Sequence, residues 1–153
     1  MLVVLIADQV TKYLVTTSIP LHGGVEIIPG VANLVHARNP GAAWGLLAES
    51  TWSLRWLFLV VVSIAALLCI AWMMVTSKQI DAYLLVALSF FFGGAAGNLV
   101  DRVRFGEVID FVDLYVGSVH WPAFNVADAS LCVGTGLFFI HFLVRRSGSD
   151  ATA

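Results

Sequence analysis

Long apolar runs, broken at a few places by single acids and amides, set the pattern of this chain. A helix needs roughly 20 apolar residues to cross the hydrocarbon core of a bilayer. Residues about 54–75 and 80–100 meet that length, the second interrupted by Asp81 and Asn98. Residues about 127–144 fall slightly short but carry nothing charged after Asp128, and Arg145 and Arg146 follow, placed to anchor that end at a headgroup surface. A fourth helix, about 1–19, contains Asp8 and Lys12. With only seven residues ahead of Asp8, it either begins upstream of Met1 or is short. It lacks a basic leader and an A-x-A-like site, so it reads as mature sequence and not as a cleaved signal peptide.

The connections alternate long and short. Residues 76–79 make a tight turn, so the second and third helices form an antiparallel hairpin. The loops about 20–53 and 102–126 are long, with Gly and Pro, and alternation around 31–35 predicts short strands outside the hydrocarbon. The expected fold is an all-α integral membrane protein with four transmembrane helices in a single domain, 1–153, both long loops lying on one side. Basic residues do not settle the orientation: Lys78, Arg145 and Arg146 lie on the terminal side, and Lys12, Arg38, Arg55, Arg102 and Arg104 on the loop side.

Composition sharpens this picture. Of 153 residues, 59% are hydrophobic and 12% charged, about half the roughly 25% charge of soluble domains. A net charge of -2 gives no support for a nucleic-acid partner. Cys69 and Cys132 lie in apolar runs and read as core cysteines, and the four histidines lack metal-ligand spacing, so no metal or cofactor is expected.

The chemistry gathers between Gly93 and Asp128. Acids in or beside a bilayer are costly and mark functional sites. Gly93 and Gly97 form a GxxxG pair that permits close helix contact and would fix Asn98 and Asp101 one turn on. Asp101 and Arg102 are adjacent and cannot face each other, so each is expected to pair elsewhere, with Lys12 or Asp8. Asp8 and Lys12 are themselves spaced for a helical ion pair. Asn39 and Gly41 lie in a turn of small residues where a ligand could approach. Asp110 follows a β-branched segment, and nearby Asp113 reads as a solvated loop acid. Asn125 is a candidate N-cap with Asp128 at N3, where the helix dipole favours a carboxylate. Two acids in one site cannot easily both ionise. One can act as general base on a water and the other as general acid, which suggests Asp128 as base and Asp110 as acid.

Five segments in order resemble the bacterial lipoprotein signal peptidase family, signal peptidase II: DQVTK (8–12), NPGAAWG (39–45), GGAAGNLVDR (93–102), GEVIDF (106–111) and FNVAD (124–128). Trp44 stands where the family usually has Phe and keeps the aromatic bulk. The resemblance implies an aspartyl endopeptidase of the bacterial cytoplasmic membrane. It would cleave diacylglyceryl-modified prolipoproteins on the N-terminal side of the lipidated cysteine. Its dyad falls on Asp110 and Asp128, with Asp8, Lys12, Asn39, Gly41, Asn98, Asp101, Arg102 and Asn125 binding substrate or supporting the site. It further implies a small extracytoplasmic β cradle, cytoplasmic termini, contact with membrane lipids and inhibition by globomycin-type cyclic peptides. The same acids would also suit a small proton-coupled transporter or channel subunit, or a non-catalytic scaffold.

Overall fold

The structure is a computed structural model that describes residues 1–42, 54–77 and 80–150, with side chains to residue 144. The expected features at Trp44, Gly45, Lys78 and the Arg145 and Arg146 side chains lie outside the described residues. The elements in chain order are helix α1 (Leu2–Ser18), strands β1 (Gly24–Ile28) and β2 (Ala32–Asn39), helices α2 (Arg55–Thr76) and α3 (Ala82–Phe105), strands β3 (Val108–Val116) and β4 (Val119–His120), and helix α4 (Val126–Asp150). The chain is mostly helical with a small antiparallel sheet. Three helices, α2, α3 and α4 over residues 126–144, are long and apolar enough to cross a membrane.

Helix α3 is the hub, with α1, α2 and α4 all packed on it. Small residues make this possible. Gly93 faces Val4 and the Met1 carbonyl of α1, and Gly94 faces Ser130 and the Ala127 carbonyl of α4. A Cβ on Gly94 would lie 2.6 Å from that carbonyl oxygen and 2.5 Å from Ser130 Oγ. Backbone cannot yield as a side-chain tip can, so Gly94→Ala should push α4 off α3. The expected cost is about 1–3 kcal/mol, measured as a lower unfolding midpoint, with a larger loss of activity because α4 carries Asp128.

The ends of α3 differ from expectation. Asp81 is its N-cap, accepting from the Leu84 N–H at 2.8 Å, and His141 of α4 bonds the same carboxylate. The helix then runs on to Phe105, beyond the expected end near 100, and stops where Gly106 adopts φ 79° with its N–H on the Arg102 carbonyl. Arg102 therefore sits on the last helical turns with Asp101, and not in the expected 102–126 loop. Charges here signal the edge of the hydrocarbon, not the end of the helix; Arg102 and Arg104 suit the helix C-terminus.

The sheet has the order β1-β2-β3-β4. Strands β2 and β3 pair antiparallel, which sets Ala37 opposite Asp110 and Asn39 opposite Val108. The sheet packs on the end of α1, where Leu34 and Val112 cover Val15, Ile19 and Phe111. Cys69 and Cys132 are exposed on helix surfaces and are not core residues. In a membrane helix an apolar run faces lipid as readily as protein, so apolarity alone did not indicate burial.

Candidate active site

Helix α1 turns one polar stripe inward. Asp8 and Lys12 are one turn apart and both buried, while most of the helix exposes apolar side chains. Lys12 Nζ lies 2.8 Å from Asp8 and 2.8 Å from Asp101, and donates to Asn98 Oδ1 at 3.1 Å. One ammonium therefore joins α1 to the end of α3. The two carboxylates position other elements in turn. Asp8 Oδ1 accepts the Ala127 N–H of α4 at 2.9 Å, and Asp101 Oδ2 accepts the Ile109 N–H of β3 at 3.1 Å. Gly97 leaves room for this, since a Cβ there would lie 2.5 Å from Asp8 Oδ2.

Asn125 and Asp128 cap α4 reciprocally. The Asp128 N–H donates to Asn125 Oδ1 at 2.9 Å, and the Asn125 N–H donates to Asp128 Oδ2 at 3.3 Å. The capping residue also reaches across to β3: Asn125 Nδ2 donates to Asp110 Oδ1 at 2.7 Å and to the Ile109 carbonyl at 3.1 Å. Asn98 Nδ2 donates to the other Asp128 oxygen at 2.9 Å. Asn39 Nδ2 donates to Asp110 Oδ2 at 3.1 Å, and its Oδ1 accepts the Gly41 N–H at 2.9 Å. Each oxygen of the two acids thus has an amide donor, and Asn125 bonds both residues.

Asp110 is 3% exposed. Burial, and then the nearby charge of Asp128, push its carboxyl up to about 7 against the hydrogen bonds from Asn39 and Asn125 and the charge of Lys12.

Of the ten residues singled out from sequence, this network joins Asp8, Lys12, Asn39, Asn98, Asp101, Asp110, Asn125 and Asp128 directly. Arg102 and Gly41 complete it differently than expected. Arg102 bonds neither Asp8 nor Lys12; its Nη2 donates to the Gly41 carbonyl at 3.0 Å and so holds the 39–42 turn. The last turn of α3 points its guanidinium toward that turn, away from the α1 stripe. Asp113 is not a solvated loop acid. It lies on β3, mostly buried, accepting from Asn33 at 2.8 Å and bonded to His120. Gln9 was missed. Its Nε2 donates to Asp8, Asp101 and the Gly97 carbonyl at 3.0–3.2 Å. The available signal was that Gln9 is the single amide within the apolar stretch 1–19.

A cavity of about 760 Å³ opens beside these groups. Asn39, Asn98, Arg102 and Asp128 line it at the polar part, and Val62, Ala66 and Ile70 of α2 and Phe91 and Leu131 of α3 and α4 form apolar walls. Among the described residues, no group of three His, Cys, Asp or Glu side chains could hold a metal ion.

The sequence model of the family described as signal peptidase (SPase) II matches residues 1–144. The chain belongs to the signal peptidase II family. Its relatives include the lipoprotein signal peptidases of Desulforapulum autotrophicum, 42% identical over 94% of this chain and 89% of that protein, and of Nitratidesulfovibrio vulgaris, 46% identical over 90% and 83%. Two solved structures, each described as a bacterial membrane enzyme, share the fold. One is 37% identical with a TM-score of 0.85 over 96% of this chain and 87% of that one; the other is 37% identical with a TM-score of 0.82 over 93% and 88%. As a signal peptidase II the chain is a multi-pass membrane peptidase that removes signal peptides from prolipoproteins.

Proposed function

We propose that the peptidase is of the aspartic type, with Asp110 and Asp128 as its catalytic dyad. The observation that carries this reading is the Asn125 side chain and N–H, which bond both acids beside the cavity that Asp128 lines. Asp110, held near 7 by burial and by Asp128, keeps a proton near neutrality. Asp128, at the start of α4, acts as base.

Asp128 takes a proton from water, and the hydroxide attacks the carbonyl carbon of the scissile amide while Asp110 protonates its oxygen. On collapse, the leaving nitrogen takes the proton from Asp128, the C–N bond breaks, and a hydroxyl proton returns to Asp110. Asp8, Lys12 and Asp101 hold α4 and β3 in register for this, and Asn39, Gly41, Asn98, Arg102 and Asn125 set the acids and the substrate.

The apolar walls favour a substrate whose diacylglyceryl chains stay in the bilayer, cleaved N-terminal to the lipidated cysteine. They also offer room for membrane lipid or a globomycin-type cyclic peptide. In this reading the 17-residue α1 is a fourth span. At about 1.5 Å per residue it approaches the roughly 30 Å of hydrocarbon, and Leu2, Val3, Ile6, Val10 and Leu14 are turned outward. The termini would then be cytoplasmic, and the sheet and dyad would lie on the outer face of the bacterial inner membrane, in a single domain over 1–153.

The test is a gel-shift assay of the purified protein in lipid with a diacylglyceryl prolipoprotein and its unmodified precursor. Cleavage of the modified form alone, with the lipidated cysteine as the new N-terminus, is expected. Intact substrate beside a folded protein, with pH-dependent ion flux, would favour a transporter instead.

The dyad also fixes the pH dependence. Asp110 must be protonated, so kcat/KM should fall as pH rises through about 7, giving the alkaline limb of a bell-shaped profile. A rate that keeps climbing beyond that range would assign the proton to another group.

A further inference from the structure

Two buried acids reach the dyad by the same route. Asp8 Oδ1 holds the Ala127 N–H, one residue before Asp128, and Asp101 Oδ2 holds the Ile109 N–H, one residue before Asp110. Each dyad acid is therefore placed by a buried carboxylate one peptide away. Lys12 Nζ lies 2.8 Å from both of these carboxylates. An ammonium is a compact charge with three rotatable donors. It draws the two acids together without fixing how either is turned. A carboxylate swings readily about its last side-chain torsion, so a directional donor is needed to keep one Asp101 oxygen on Ile109.

Gln9 has the geometry for that task. Its Nε2 lies 3.0 Å from Asp101 Oδ1, the oxygen that Ile109 and Lys12 do not hold. The same nitrogen is 3.2 Å from Asp8 Oδ2 and 3.2 Å from the Gly97 carbonyl, one turn before Asp101 on α3. With Oδ1 and Oδ2 each bonded, the Asp101 carboxylate is fixed in its plane. All three neighbours are acceptors, so the nitrogen of the amide and not its oxygen must face them. Gln9 is neutral and only half-buried, and it does not line the cavity.

We infer that Gln9 is a positioning residue of the peptidase, whose amide locks Asp101 and Asp8 to each other and so sets the spacing of Asp110 and Asp128. This role rests on the dyad proposed above. It has a consequence beyond stability. Burial, and then the charge of Asp128, push the Asp110 carboxyl up to about 7. Without the amide, β3 and α4 are joined by Lys12 alone at this point and the two acids drift apart. The charge of Asp128 then acts over a longer distance, and Asp110 gives up its proton at lower pH.

The test assays the full chain in lipid on a diacylglyceryl prolipoprotein, with rates taken per folded protein. Gln9→Met keeps the length of the side chain and removes the donor. Its kcat is expected to fall roughly 10-fold, with KM within about twofold of native because the cavity is untouched. The alkaline limb of kcat/KM is expected to move down by at least about half a pH unit. Gln9→Glu keeps the shape of the side chain but, ionised, faces three acceptors with no proton, and should lose at least as much activity. Asp110→Asn is run beside both. If it cleaves as well as the native protein, the dyad fails and this role with it. If it abolishes cleavage while both Gln9 variants keep the native kcat and limb, or lose only unfolding midpoint, the dyad stands and the positioning role is overturned. A lower kcat with an unmoved limb in Gln9→Met would overturn it as well.

Discussion

Asp110→Asn and Asp128→Asn are each expected to lower cleavage of a diacylglyceryl prolipoprotein by roughly 10²–10⁴-fold, the range for removal of a general acid or base. Neither change alters side-chain size, and the amide oxygen still accepts one of the two N–H donors that face each acid. The amide cannot move a proton between water and the scissile bond. The Asp110 variant should carry a second signature. Its folded carboxyl sits near 7, above the roughly 3.9 of an unfolded chain. The folded state therefore binds more protons across that interval, and native stability is lost as pH rises from about 4 through about 7. Asp110→Asn removes this loss, so its unfolding midpoint should vary less with pH than the native protein's and lie above it at pH near 8. A rise in stability with a collapse in kcat is what a strained catalytic acid gives; a fall in both would mark Asp110 as structural.

Lys12→Met is expected to be the most damaging single change to the fold. Asp8 and Asp101 are fully buried, and Lys12 is the ammonium within 2.8 Å of both. Removing one partner of a buried ion pair costs about 3–5 kcal/mol, because the remaining charge keeps its desolvation penalty. Here two carboxylates would lose their cation together. The loss would pass to α4 and β3 through the Ala127 and Ile109 N–H groups. Little folded protein should be recovered from membranes. Adding Asp8→Asn and Asp101→Asn to Lys12→Met should restore part of it, since the amides need no counter-charge. Yield and unfolding midpoint of the single and triple variants check this, and no recovery in the triple variant would show that the cation acts by more than charge balance.

The members of the polar network were more legible in the sequence than the joints of the fold. Acids and amides are conspicuous in a lipid-like chain because their burial is so costly, and this is why Asp8, Lys12, Asn98 and Asp128 stood out. Gln9 sat among them unnoticed, since a neutral amide beside two charged residues carries a weak signal. The helix dipole and capping spacing indicated how Asn125 and Asp128 relate, and the reciprocal bonds match that spacing. The link from Asn39 to Asp110 spans 71 residues and depends on the β2–β3 register, which local alternation does not determine. The end of α3 was misplaced because charges mark where hydrocarbon stops, and a helix can continue into water until a residue such as Gly106 ends it. Cys69 and Cys132 were misplaced because lipid and protein interior favour the same side chains. Asp113 was taken for a solvated acid because Asn33 and His120, its partners, come from other strands.

In the proposed dyad, Asp110 and Asp128 hold one proton between them near neutrality. Infrared difference spectroscopy of the protein in lipid, titrated across pH 5 to 9 in steps of about half a unit, observes this directly through the carbonyl stretch of a protonated carboxylic acid. The predicted result is a single such band that disappears with a midpoint near 7 and is absent from the Asp110→Asn protein. A native protein with no protonated carboxyl above pH about 5, or a band that survives unchanged in both Asn variants, would contradict it.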